Sequence, residues 1–160
     1  MKTDFECVGE FHETFGHPKY DTVQKTALVD NPKMVQFRID LIQEEFNELK
    51  EGAKKFDLTE VVDALCDLKY VINGMGHVLG VNLDKAFQLV HESNMSKLCM
   101  NEKEAIESVE HYKTLPGFMD VRVGYRLAPD AKHYVIYNTV SGKILKSKYF
   151  HEPNFDELLA

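Results

Sequence analysis

Hydrophobic and polar positions recur along this chain with two different periods, and the change of period divides it. Val35, Ile39, Ile42, Phe46, Leu49 and Ala53 step by three and four residues in turn, which is one face of an α-helix. Asn31-Pro32 starts that helix as N-cap and first-turn proline, and the spacing predicts helix to about Gly52. Upstream, Thr3 to about Phe15 reads as an opening helix, stopped by Gly16 with Pro18 beyond. A polar connector then runs to Asp30. Downstream, a helix begins near Asp57 to Thr59 and ends at Gly80, which follows Leu79 in the Schellman position. Asn82 caps a fourth helix with Leu83, Ala86, Phe87 and Val90 on one face. Asn101, with Glu104 three residues on, reads as the capping box of a fifth.

After Pro116-Gly117 the period drops to two. "DVRVGYRL" alternates, and "HYVIYNTVSGKILKSKYF" reads as two strands about Ser141-Gly142. The expectation is an all-α fold, an antiparallel helical bundle of about five helices with a small C-terminal β-hairpin appendage. One domain would take all 160 residues, with a helical body over 1–115 and the β appendage over 119–152. The chain shows no internal repeat and no low-complexity tract.

Composition narrows the function classes. At 44% hydrophobic and 28% charged residues the chain is an ordinary globular one. Its formal net charge of −7 argues against a nucleic-acid-binding surface. Cys7, Cys66 and Cys99 are far apart, odd in number and outside CxxC spacing, which suits a reduced intracellular chain better than a disulfide framework or a zinc site. The first residues lack a basic segment followed by an apolar one, and the most apolar stretch, Val61 to Leu79, carries Asp63, Asp67 and Lys69. A cytoplasmic protein without a membrane span is expected.

Candidate chemistry lies where acids crowd the apolar stripes. On a helical wheel Glu45 falls about 60° from the centre of the stripe of the second helix, Glu48 about 120° and Glu44 about 160°, all on one side. On the next helix Asp63 and Asp67 share a face one turn apart, where like charges repel and lose hydration. If these two helices are antiparallel about a turn near Phe56, Glu45 faces Asp67, and Glu48 faces Asp63 or its neighbour. Glu60 falls opposite Gly52, in a first turn where an acid simply complements the helix dipole, so Asp63 and Asp67 are the preferred ligands. Hard oxygen donors without His or Cys suit Mg²⁺, with Mn²⁺ as a substitute. Because Mg²⁺ commonly binds substrate phosphates, the cluster points to a nucleotide-hydrolysing site.

The segments "VGEFHETFG", "RIDLIQEEFNEL", "VVDALCDLKYVINGMGHVLGVNLDKAF" and "VHESNMSKL", in this order, resemble the all-α nucleoside triphosphate pyrophosphohydrolases, the MazG-like superfamily with its EExxE…ExxD signature. The closest likeness is to the phosphoribosyl-ATP pyrophosphohydrolase-like group of bacteria, phages and large viruses. One residue departs from the signature. The glutamate of ExxD would fall three before Asp67, where Ala64 stands, and Asp63 is the stand-in.

The resemblance implies hydrolysis of a nucleoside triphosphate between its α- and β-phosphates. Glu45, Glu48, Asp63 and Asp67 would hold Mg²⁺, and Glu44, beside Glu45, would orient or deprotonate the attacking water. Asn94, Lys97, Lys146 and Lys148 are candidate substrate contacts. Phe11, His12 and Phe15 can wall a base pocket or pack in the core, and Arg38 can pair with Glu45. A dNTP such as dUTP is the favoured substrate. The alternatives are the phosphoribosyl-ATP pyrophosphohydrolase of histidine biosynthesis and a catalytically idle Mg²⁺-binding oligomeric interaction protein. Relatives of this kind assemble as helical dimers or tetramers, so a homodimer or homotetramer is expected.

Overall fold

Capping chemistry sets the helix boundaries. The computed structural model describes residues 1–118 and 120–160. Helix α1 (Asp4–Phe15) starts in a capping box, the Thr3 hydroxyl accepting from the Glu6 N–H while the Glu6 carboxylate accepts from the Thr3 N–H. It ends at Gly16 in the left-handed conformation. The connector is not wholly irregular, since Ala27–Asp30 forms one helical turn, α2.

Helix α3 (Pro32–Lys55) begins at Asn31, whose side-chain oxygen accepts from the Met34 N–H at 3.3 Å. It runs a turn beyond Gly52, the end expected from sequence. Gly52 is a point of close approach instead: a Cβ there would stand 3.0 Å from Glu60 Cβ and 3.1 Å from the Val61 backbone nitrogen. The helix stops at Phe56, left-handed at φ 56°. Asp57 then caps α4 (Leu58–Leu79), accepting from the Thr59 and Glu60 N–H groups at 2.9 and 3.2 Å. Gly80 closes α4 in a Schellman motif: the Val81 N–H reaches the Gly76 carbonyl and the Gly80 N–H that of His77.

The chain divides into two units, residues Met1–Phe87 with Phe155–Ala160, and Gln88–Asn154. In the first, α3 and α4 form an antiparallel hairpin and α1 packs on α4. Phe5 stacks on the His77 ring at 3.8 Å, and His77 Nε2–H donates to the Phe5 carbonyl at 2.7 Å. Phe5, Val8, Ala27, Ala64 and Val78 are its buried apolar residues. The expected apolar stripe of α3 is only partly covered: Val35, Ile42 and Leu49 are half-buried, while Ile39, Phe46 and Ala53 are exposed.

Helix α5 (Leu83–Met95) crosses the division between the units. The second unit adds β1 (Leu98–Cys99), α6 (Glu102–Tyr112), β2 (Val123–Leu127) and β3 (Tyr134–Asn138). Its antiparallel sheet has the order β1-β3-β2, and Cys99, Ala105, Tyr112 and Ile136 form the buried centre between the sheet and α6. Asn101 caps α6 as expected, but the Glu104 carboxylate takes the Met100 N–H at 2.8 Å. The box therefore closes one residue early.

The hairpin about Ser141-Gly142 is also altered. Its outgoing strand is β3, but the return arm holds only the bridge Ile144–Tyr137. Beyond it the backbone turns to other partners. The Ser147 hydroxyl donates to the Ser96 carbonyl, and the Lys148 N–H donates to the Ser108 hydroxyl. Among the described residues no helix is long and apolar enough to cross a membrane.

Candidate active site

Two close approaches fix the register of the α3–α4 hairpin. Gly52 meets Glu60, and at the other end Gly74 meets the Arg38 guanidinium, Nη1 lying 3.2 Å from where a Cβ would stand. In the register these two share, Glu45 is level with Asp67 and Glu48 with Ala64. The pairing expected from sequence is therefore the one the backbones adopt.

The acids gather along one side of this hairpin. A cleft of about 490 Å³ is lined by Glu44, Asn47, Glu48 and Glu51 from α3, Glu60 and Asp63 from α4, and Lys55. Lys55 is bonded to both carboxylate oxygens of Glu60, at 3.2 and 3.0 Å. Asn47, Glu51 and Lys55 escaped the sequence reading. Their signal was present, because Glu44, Asn47, Glu48, Glu51 and Lys55 repeat at helical spacing on one face.

Glu45 differs from the rest. It is half-buried, and its Oε2 is buried with no hydrogen-bond partner among the described residues. Burial raises its pKa, and the charges of Glu48, Asp67, Glu44 and Asp63 raise it further. The five acids nominated from sequence are thus linked electrostatically through Glu45. Asp67, half-buried on α4, is not among the residues that line the cleft.

Residues 8–94 match the family model of phosphoribosyl-ATP pyrophosphohydrolase, a domain of the MazG-like superfamily. The chain belongs to this family. A second comparison pairs it with the protein called uncharacterized protein L479 of Acanthamoeba polyphaga mimivirus. The two are 37% identical, the match covering 98% of this chain and 96% of that one.

Family membership sharpens the meaning of Ala64. Its side chain is 2% exposed against α3, at the place where the superfamily signature puts a glutamate. The neighbouring Asp63 is exposed and opens into the cleft with Glu60, so the literal Glu60-Val61-Val62-Asp63 pair lines the site together. As the side chains stand, no group of three or more His, Cys, Asp or Glu among the described residues is arranged to hold a metal ion.

The remaining candidates are placed differently. Arg38 is buried and does not pair with Glu45. His12 is buried; its Nδ1–H donates to the Pro18 carbonyl at 2.7 Å, and burial lowers its pKa. Phe11 and Phe15 lie 4.4 Å apart, Phe11 half-buried and Phe15 exposed. Asn94, Lys97, Lys146 and Lys148 belong to the second unit. Asn94, expected on an apolar stripe, is exposed, and its amide oxygen accepts from Lys97 Nζ at 2.7 Å. Lys146 bonds Glu152 at 2.6 Å and lies over the Phe150 ring. Lys148 is 3.9 Å from Glu107. The strand face expected to carry these two lysines is not formed, because the sheet's last pairing is at Ile144.

Proposed function

We propose that this chain is a Mg²⁺-dependent nucleoside triphosphate pyrophosphohydrolase. It would split a dNTP, dUTP or another, between the α- and β-phosphates to give the monophosphate and pyrophosphate. One observation carries the reading: in the segment that matches the family, Glu45 holds a buried, unpartnered carboxylate oxygen encircled by the charges of Glu44, Glu48, Asp63 and Asp67. Negative charge so concentrated and desolvated is costly unless a cation compensates it.

The donor set suits Mg²⁺, with Mn²⁺ able to substitute. Glu45, Glu48, Asp63 and Asp67 would hold the ion. Glu48 and Asp63 are exposed and can swing inward to join Glu45, which the present side-chain positions do not achieve. When bound, the metal supplies neutralisation of the charge that builds on the leaving pyrophosphate. Glu44, exposed on the cleft wall, orients the attacking water and accepts its proton.

The description of the matching family favours a second reading, in which phosphoribosyl-ATP is cut at the same bond. Both readings use the same residues and release pyrophosphate. Self-association completes the proposal, as a homodimer or homotetramer. The exposed apolar residues of α3 and α4 support it, whereas the net charge of −7 supports neither nucleic acid nor an anionic membrane as a partner. Glu45→Gln and Asp67→Asn should each lower Mg²⁺-dependent pyrophosphate release roughly a hundredfold or more. Full turnover in either variant would contradict the assignment.

A further inference from the structure

Arg38 is 5% exposed. A guanidinium cannot shed its charge by titration as other groups do, so burying it demands an anion or a full set of acceptors. Among the described residues neither is found for its Nε, which has no hydrogen-bond partner. Burial is the one influence acting on its ionisation, with no carboxylate opposing it. Its neighbours are the bare helix surface at Gly74, the His12 ring, whose Nε2 lies 3.1 Å from where a Gly74 Cβ would stand, and the Phe37 ring, whose centroid is 5.7 Å from the guanidinium carbon and supplies no anion. His12 offers no negative charge, and its own pKa is lowered by burial and then by Arg38.

Position along α3 gives this anomaly a direction. Arg38 lies seven residues before Glu45, nearly two full turns, so the two share a face about 10 Å apart along the axis. One side chain is a half-buried acid with a buried, unpartnered oxygen, the other a buried base with an unpartnered nitrogen. They do not neutralise each other. A ligand that carries a cation at one end and anionic oxygens at the other would satisfy both, and a metal-bound polyphosphate has that form.

We propose that Arg38 is the anion-binding residue of this site and takes a phosphate oxygen of the substrate. The inference rests on the proposed function for the identity of the anion. Its geometry does not: Arg38 is buried and its Nε has no hydrogen-bond partner among the described residues, whatever the chain hydrolyses. A planar guanidinium suits this task, because it grips two phosphate oxygens at once.

The test is calorimetric titration of inorganic pyrophosphate, with Mg²⁺, into wild-type protein, Arg38→Met and Arg38→Lys, with melting temperatures recorded alongside. A structural arginine would lower the melting temperature on replacement and leave pyrophosphate affinity alone. The expected result is the reverse. Arg38→Met melts no lower than wild type, since a buried orphan charge is removed, and binds pyrophosphate roughly tenfold to a hundredfold more weakly. Arg38→Lys, which keeps the charge and loses the fork, falls between them. If Arg38→Met does not fold, Arg38→Lys alone decides, by weakened binding at an unchanged fold.

Affinity within twofold of wild type in the folded variants, or no pyrophosphate binding by wild type, overturns the inference. Wild-type protein that binds pyrophosphate through Arg38 but hydrolyses no nucleotide ends the hydrolase reading and leaves this one standing.

Discussion

Glu45 concentrates the chemistry of the hairpin in one side chain. Burial and four carboxylate neighbours raise its pKa above the ordinary glutamate value of about 4.3. Below that value the group is protonated whether the chain is folded or not, and its site costs nothing. As pH rises through the folded pKa, the folded chain must ionise it against its surroundings and stability is lost. Glu45→Gln should therefore raise the melting temperature of metal-free protein at pH 8 by a few degrees and change it little near pH 4. Thermal denaturation in EDTA at the two pH values checks this, and a variant less stable at pH 8 would contradict it. The wheel placed Glu45 at the edge of the apolar stripe, and so its half-burial was legible. Arg38 was not legible as a buried charge, because its partner expected from sequence, Glu45, lies nearly two turns away and the contact it makes is with Gly74, a residue without a side chain to signal one.

At the scale of elements, the cap residues marked the helix starts well. Asn31, Asp57, Asn82 and Asn101 each accept from a backbone N–H in the first turn that follows. Ends were read less well where glycine serves packing: Gly52 lets α4 approach and does not stop α3. The return strand after Gly142 failed for another reason. Its alternation is real, but Ser147 and Lys148 bond the end of α5 and α6 instead of β3, and pattern alone cannot rank a sheet edge against such side-chain acceptors.

The α3 stripe poses the reverse case. Its period was read correctly, yet Ile39 and Phe46 on α3, with Leu58, Val62, Leu65 and Ile72 on α4, stay exposed. Apolar residues recurring along two neighbouring helices form a patch that a monomer seldom leaves in water. Phe46→Glu should shift the protein to a smaller species in sedimentation velocity, with its helix content retained. Wild-type protein that sediments as a monomer at micromolar concentration would contradict the self-association proposed above.

For the whole molecule, sequence and structure meet on the antiparallel hairpin. That much was legible because a helical hairpin needs only two periods and a turn to set its register. The second unit was less so: α6 packs on a three-stranded sheet whose first strand, β1, has just two residues, too short to leave a periodic signal.

The reaction assigned to the acid group is the central claim. Its most direct test is pyrophosphate release from purified protein across the dNTPs including dUTP, the four ribonucleoside triphosphates and phosphoribosyl-ATP, with Mg²⁺ and with EDTA. Release from one or a few of these substrates with Mg²⁺, and none with EDTA, is the expected result. Folded protein that releases no pyrophosphate from any of them would contradict it.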